Sequence, residues 1–417
     1  MALPKQDREV LRRLVGELAE IAALPVHTEK AELWRRLNRL EPVRPLVWIN
    51  EIPWGEINVN DELTQQCNDP VARSLEWRLL TELYQWRHFP GDMVVSDFLV
   101  SQKIFYSTHM GLGIHTDGEI DQGDGGIVSR HYQAQHFDFD DVERLQPPGV
   151  TYDAATTELN YRKMCDAVGD IMPVKLLGTR SHWYAPWDYL VQAWGIQEAM
   201  VDLVDRPELI TAFISRLVDC NVAYLDRLEE LNLLACNNDN TRVGAGGYGC
   251  TDELPGERFD PDHVRLHNQW GCATAQIFSV VSPEMHWQFA LRHEMRILER
   301  FGLTYYGCCE PLDIKMGILR KVPNLRKVSM SPWVVPERGA AELGRDYVYS
   351  HKPNPAILAE DTWRPAQARA ELRDVLEKTR GCNVEIILKD ISTVRHQPQR
   401  LWEWSQIATE EAERIGE

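Results

Sequence analysis

Residues 303–333, LTYYGCCEPLDIKMGILRKVPNLRKVSMSPW, decide the fold. The apolar run LTYY breaks at Gly-Cys-Cys-Glu, Asp313 to Arg320 has the spacing of a short helix, and LRKVSMSPW returns to strand character. Parallel strands need a crossover between them, and a strand–helix–strand unit with short connections supplies one. Working outward, PERGAAELG and YVYSHKPNP repeat the unit. A helix from Pro365 to Arg380, closed by Gly381, precedes NVEIILKDIS, and a last helix covers Gln397 to Ile415. Upstream, Asp205-Arg206-Pro207-Glu208 predicts a helix start with Asp205 as its cap; Leu209, Ile210, Phe213, Ile214, Leu217 and Val218 carry it into LNLLACNNDN. Ser282-Pro283-Glu284 opens another helix that ends before Gly302. PLVWINEI, MVVSDFLV and IMPVKLLG add candidate strands in the first half. About eight strands over about 370 residues predict an α/β protein of the (β/α)8 TIM-barrel class. Residues 1–40 read as a helical N-terminal extension and 41–417 as the barrel. A long insertion or lid falls at about 101–160, where DGEIDQGDGG and QPPG interrupt the pattern.

Composition narrows the function classes. The chain has 417 residues, 44% of them hydrophobic and 26% charged, which suits a globular protein with a large core. Sixty-three acidic against 45 basic residues leave a formal charge of −18, which argues against nucleic acid or an anionic membrane surface as partner. No apolar run approaches the roughly 20 residues of a membrane span, and the charged N-terminus is no signal peptide. A soluble, cytoplasmic protein is predicted. Nine scattered cysteines read as reduced thiols, some of them candidate metal ligands or catalytic groups. Neither GxGxxG nor GxxxxGK[ST] occurs, so dinucleotide and P-loop readings lose support.

In a barrel of this class the chemistry sits at the C-terminal ends of the strands. Those ends carry Asn237-Asn238-Asp239-Asn240, Cys308-Cys309-Glu310, Ser331-Pro332-Trp333, His351-Lys352 and Lys389-Asp390. A thiolate from Cys308, a carboxylate from Glu310 and an imidazole from His351 would make a three-ligand zinc set with one open position. The same residues also read as a buried cysteine pair with Glu310 capping the next helix. Asn237 and Asn238 read either as turn formers or as amides for a substrate, with Asp239 as an acid/base beside them. The stretch GAGGYG behind them, holding Tyr248, permits close backbone approach. Lys389 and Asp390 are either a solvated pair or a general acid/base with its positioning partner. His182, Trp183, Tyr184 and Trp187 cluster as a candidate pocket roof, and Trp333 is a further aromatic candidate. His109 and His115 fall in the insertion and read as solvated.

Taken in order, LLGTRSHWYAPWDYL, VDRPELITAFISRLVD, LLACNNDN, QIFSVVSPEMHWQFAL, TYYGCCEPLD, LRKVSMSPW, YSHKPNPAIL and VEIILKDISTV resemble the uroporphyrinogen decarboxylase superfamily, in particular its corrinoid-dependent methyltransferase branch. The resemblance covers roughly residues 165–410. It implies a (β/α)8 barrel with the active site at its C-terminal mouth, and a homodimer. It also implies transfer of a methyl group between a small methylated substrate and a corrinoid. In O-demethylating members the donor is a methoxylated aromatic compound and the acceptor is cob(I)alamin on a partner corrinoid-binding protein. That branch carries His-x-Cys as zinc ligands where this chain has Tyr306-Gly307-Cys308, and a third Cys where this chain has Lys389 to Ile391. The arginine-rich N-terminal loop of the decarboxylases has no counterpart in PLVWINEIPWGEI.

The resulting expectation is an O-demethylase-like methyltransferase subunit. Zinc would sit on Cys308, Glu310 and His351, with Asp239, Lys389 and Asp390 as acid/base groups. Trp183, Tyr184, Trp187, Asn237, Asn238, Tyr248 and Trp333 would line the substrate. A metal-free decarboxylase-like lyase and a non-catalytic corrinoid or corrinoid-protein binding module are the alternatives.

Overall fold

The computed structural model describes residues 3–121, 128–257 and 259–416. Its strands are β1 (Leu46–Ile49), β2 (Leu99–Gln102), β3 (Phe105–Ser107), β4 (Thr116–Asp121), β5 (Val128–Tyr132), β6 (Val150–Tyr152), β7 (Val174–Leu177), β8 (Trp270–Ala273), β9 (Leu303–Tyr306), β10 (Leu325–Met330), β11 (Val348–His351) and β12 (Asn383–Leu388). Six of them form one parallel sheet in the order β1-β12-β11-β10-β9-β8. Helices connect most of its successive strands, and β11 and β12 are buried along their whole length. β2 and β7 form a separate parallel pair, and the insertion contributes the antiparallel pairs β3–β6 and β4–β5.

The fold is therefore α/β with a parallel central sheet, but among the described residues the ladder of strands does not close into a ring. Beyond β8, regular rungs give way to the isolated parallel bridges Thr179↔Leu234 and Tyr184↔Ala273. Side-chain amides act as rungs at this seam. Gln269 Nε2 donates to the carbonyls of Thr179 and Ala235, while Asn237 accepts from Trp270 N–H and donates to Trp270 C=O. At the other edge, the Asp92 carboxylate accepts from Val47 N–H, and Asp92 N–H donates to Val47 C=O. The expected LNLLA strand is thus reduced to a bridge, because Asn232 has φ +52° and Asn237 replaces the main-chain pairing.

Most predicted helices are present: Pro283–His286 continuing to Leu298, Pro336–Leu343, Pro365–Lys378 and Gln399–Gly416. Ser282 caps as expected, accepting from Met285 N–H. Asp205 does not cap: it ends the helix Ile196–Asp205, and Pro207–Glu230 begins behind Arg206 with no side-chain cap. The helix placed at Asp313–Arg320 shortens to Met316–Leu319. The strand β8 was not read from the sequence, since WGCA is too short and too small to stand out. At the N-terminus, helices Lys5–Ala22 and Pro25–Asn38 are fastened to the body. Asp7 accepts from Asn68 and Asp69 N–H, and Trp34 Nε1 donates to Asp92 C=O.

One face of the sheet carries a buried ion pair. Lys327 of β10 and Glu385 of β12 meet at 2.8 Å with neither side chain exposed, and Ser350 of β11 donates to Glu385 at 2.5 Å. The glycine-rich stretch 244–249 packs onto this group, so its backbone approaches protein and not a ligand. Lys327 Nζ donates to Tyr248 C=O, Gly247 N–H donates to Glu385, and a β-carbon on Gly246 would lie 2.6 Å from Glu385 Oε1.

Two predictions follow from these charges. Glu385→Gln leaves the Lys327 ammonium without a counter-ion and should cost about 3–5 kcal/mol in urea unfolding; an unchanged midpoint would refute the assignment. Glu411, bound by Arg373, Arg414 and Arg369, has its carboxyl held at about 2, below the ordinary range. A depressed carboxylate stabilises the folded chain above its unfolded pKa, and that contribution fades as pH falls from about 4 toward 2. Glu411→Gln should flatten the fall in melting temperature across that window.

Candidate active site

A cleft of about 400 Å³ opens at the C-terminal ends of β1, β9 and β12. Lys389 directly follows β12, Glu51 lies two residues beyond β1, and Cys308 two beyond β9. Turning these side chains together requires unusual backbone. Glu51 (φ +54°) and Asp390 (φ +56°) adopt the left-handed conformation without being glycine, a cost of about 1–3 kcal/mol each. Asp390 N–H donates to Glu51 Oε2 at 3.1 Å, so each strained residue supports the other. Gly307 (φ +99°) makes the turn that brings Cys308 Sγ and Cys309 Sγ within 3.5 Å, although adjacent strand residues point apart.

The charges form a chain. Arg242 Nη2 donates to Glu51 Oε1 at 2.6 Å, and Lys389 Nζ lies 3.4 Å from Glu51, 2.5 Å from Asp390 and 3.5 Å from Cys308 Sγ. Burial alone would raise the Glu51 carboxyl, but Arg242 and Lys389 overcome it and hold the group at about 2. Burial likewise opposes the Lys389 charge, yet the carboxylates of Glu51 and Asp390 keep the ammonium above the ordinary lysine range. Burial pushes Asp390 up. In the thiol pair the hydrogen bond between the two sulfurs divides the protons: Cys308 is pushed up and Cys309 is lowered.

His182 and Trp183 form the opposite wall. The His182 ring is buried and stays neutral, its pKa lowered to about 4 by desolvation. Gln269 uses its NH2 on two carbonyls, so its oxygen accepts from His182 Nε2–H, and Nδ1 accepts from Tyr184 OH.

The expected site residues divide into two groups. Lys389, Asp390, Cys308 and Trp183 meet in the cleft. Trp187 is fully buried and donates to Phe289 C=O, and Tyr184 is buried against His182, so neither roofs the cleft. Asn237 and Asn238 have their amides on main-chain groups, Asn238 donating to Thr251 and Leu254 C=O. Asp239 pairs with Arg180 at 2.9 Å and accepts from Thr241. Tyr248 is wedged between Trp34 and Trp48. Trp333 is exposed on the loop after β10.

The zinc set does not assemble. The Glu310 carboxylate is taken up by Thr274 Oγ1, Ala275 N–H and Cys308 N–H, and His351 lines a separate cavity with Pro332, Glu371 and Trp404. Among the described residues no three His, Cys, Asp or Glu side chains gather as a metal site. Tyr306, standing where the resembled branch has a histidine ligand, faces away from the cleft into a buried chain. Lys315 Nζ donates to His286 Nδ1 (3.1 Å), His286 Nε2 to Tyr306 O (2.8 Å), and Tyr306 OH to Glu294 Oε2 (2.7 Å). The cleft residues that the sequence did not single out include Glu51 and Arg242, the two that complete its chain of charges, besides Ser181 and Gln276. Glu51 had the same signal as the others, a polar residue where VWI gives way, whereas Arg242 had none.

With this geometry in hand, the chain can be set beside known proteins. No family model and no curated protein matches it. Solved structures do. A methyltransferase from Methanosarcina mazei superposes with a TM-score of 0.52 at 10% identity, over 92% of this chain and 98% of that one. The likeness is one of fold.

The thiol pair yields a prediction. Iodoacetamide at mildly alkaline pH should label Cys309 ahead of Cys67, Cys250 and Cys272, which burial pushes up to about 12. Lys389→Met removes the neighbouring ammonium and should move half-maximal labelling of Cys309 to higher pH. Labelling that ignores the substitution would separate the lysine from the thiols.

Proposed function

We propose that the chain is a methyl-transferring enzyme that takes a methyl group from a small methylated substrate, a methoxylated aromatic, and passes it to a corrinoid carried by a partner protein. The observation that carries this reading is the convergence of Lys389, Glu51, Asp390, Arg242 and Cys308 in one cleft at the C-terminal strand ends. The fold shared with a methyltransferase supports it, and so does the resemblance in segment order. The side-chain rungs at both edges of the six-stranded sheet support a closed (β/α)8 barrel as the underlying architecture.

Breaking an O–CH3 bond leaves negative charge on oxygen, and the site must stabilise it. Lys389 is suited to that role: it is buried, and the carboxylates of Glu51 and Asp390 hold it charged. Its raised pKa makes it an electrostatic stabiliser of the departing oxygen and a poor proton donor. Glu51 and Asp390 orient the ammonium, and the flat Trp183 ring gives an aromatic substrate a wall. The corrinoid, when its partner presents it at the mouth, supplies the acceptor for the methyl group. The mouth has an apolar rim for such a partner: Trp183, Val280, Ile314, Trp333 and Val335 are all exposed. The loops that carry these side chains are joined on one side: Val335 N–H donates to Asp313 beside Ile314, and Lys315 donates to Phe278 C=O two residues before Val280. The zinc expectation is not carried forward, because Cys308, Glu310 and His351 do not share a centre.

The test is methylcobalamin formation, followed by absorbance, from methoxybenzenes and cob(I)alamin, with the released phenol measured in parallel. Lys389→Met should lower kcat by about 100-fold, the usual cost of removing one stabilising donor. Release of carbon dioxide from an aromatic acid without methyl transfer would replace this reading with the lyase. Corrinoid-protein binding without turnover would replace it with the binding module.

A further inference from the structure

The polar valences of the cleft are unevenly filled, and the imbalance points to the charge of its ligand. Lys389 donates to Asp390 and to Cys308 Sγ and forms an ion pair with Glu51 at 3.4 Å. Glu51 is engaged at both oxygens, Oε1 accepting from Arg242 and Oε2 from Asp390 N–H, and it faces Lys389. His182 is committed at both ring nitrogens, and Gln276 Nε2 donates to Asp188. The Asp390 side chain is 55% exposed and meets solvent. Arg242 is different. Its side chain is only 28% exposed and lines the cleft, yet among the described residues it gives one hydrogen bond, from Nη2 to Glu51; its Nε is buried without a partner and out of a ligand's reach, so the capacity open to the cleft is that of the remaining Nη hydrogens. A guanidinium carries five N–H groups, so the unmatched capacity of this enclosed wall is donor capacity on a fixed positive charge.

The backbone holds that guanidinium in place. Arg242 pairs with Tyr248 across an antiparallel bridge, and the intervening turn is seated on Tyr305: a β-carbon on Gly244 (φ +55°) would lie 2.7 Å from that ring. Trp183 supplies a flat apolar surface on the same cleft. The volume, about 400 Å³, suits a ligand of one ring.

We infer that the substrate is a single-ring aromatic carboxylate whose anionic group docks on the free N–H groups of Arg242 while its ring lies against Trp183. This deepens the methyl-transfer reading, on which it rests for the identity of the reactive group. The docking itself requires no methyl chemistry, so the two can fail separately.

The probe is benzoate, which has no methyl group to lose, compared with its neutral analogue benzamide by isothermal titration and ligand-observed NMR on the full chain. Benzoate should bind and benzamide should bind more weakly by about tenfold or more. Arg242→Gln should weaken benzoate by about the same factor, and Arg242→Lys should restore part of it. Glu51→Gln, which removes the anion competing for Arg242, should tighten benzoate severalfold. That opposite sign separates docking from a general loss of structure. Equal binding of the two probes, absence of benzoate binding, or an Arg242→Gln variant that binds benzoate as the parent does would each overturn the inference. If benzoate behaves as expected while 4-methoxybenzoate gives no methylcobalamin, the anion site stands and the methyl-transfer reading falls.

Discussion

The buried pair of Lys327 and Glu385 is the contact on which the arrangement of the cleft depends. An ammonium and a carboxylate with no solvent exposure are tolerable only because each has further partners: Ser350 and Gly247 N–H donate to Glu385, while Lys327 donates to Tyr248 C=O and lies over the Trp34 and Trp270 rings. That requirement fixes the glycine-rich stretch against the sheet. The stretch in turn sets Arg242 through its bridge to Tyr248. Arg242 holds Glu51, and Glu51 holds both the Lys389 ammonium and the Asp390 backbone. A charge pair deep in the sheet thus determines where the charges at the mouth stand, through backbone and not through long-range field.

Much of the fold was legible because parallel units repeat a simple pattern. LRKVSM, VYSH and NVEIIL are apolar runs bounded by helical spacing, and each became a strand. The pattern failed where side chains replace the ladder. LNLLA looks like a strand, but its neighbours are joined to it through Asn237 and Gln269, and no periodicity announces an amide acting as a rung. Eight strands in a closed ring were therefore expected where the ladder links six.

Site residues divided along the same line. Lys389, Asp390 and Cys308 were found by asking where an apolar strand ends, and that rule works because strand ends are where a parallel sheet meets solvent. Asn237 and Asn238 met the rule and failed it, since their amides satisfy main-chain groups that the seam leaves unpaired. Glu310 and His351 also met it. Their position along the strands was correct, but one side chain turns back onto the Cys308 amide and the other into a separate cavity. For Glu310 the loop beyond β9 overrides strand parity, whereas His351, still within β11, is turned by parity itself to the face opposite Ser350. Tyr306, at the end of β9, is likewise turned from the cleft: its hydroxyl links His286 to Glu294 in a buried polar chain.

The two left-handed residues at the ends of β1 and β12 have a consequence for how this protein tolerates change. Glycine at Glu51 or Asp390 would relax the main chain and, on conformational grounds alone, stabilise the fold. The same replacement would delete one carboxylate from the group around Lys389. Selection for heat resistance and preservation of the charges in the cleft therefore pull these two positions in opposite directions, and a thermostabilised variant chosen on stability alone would be expected to lose those charges first at residues 51 and 390.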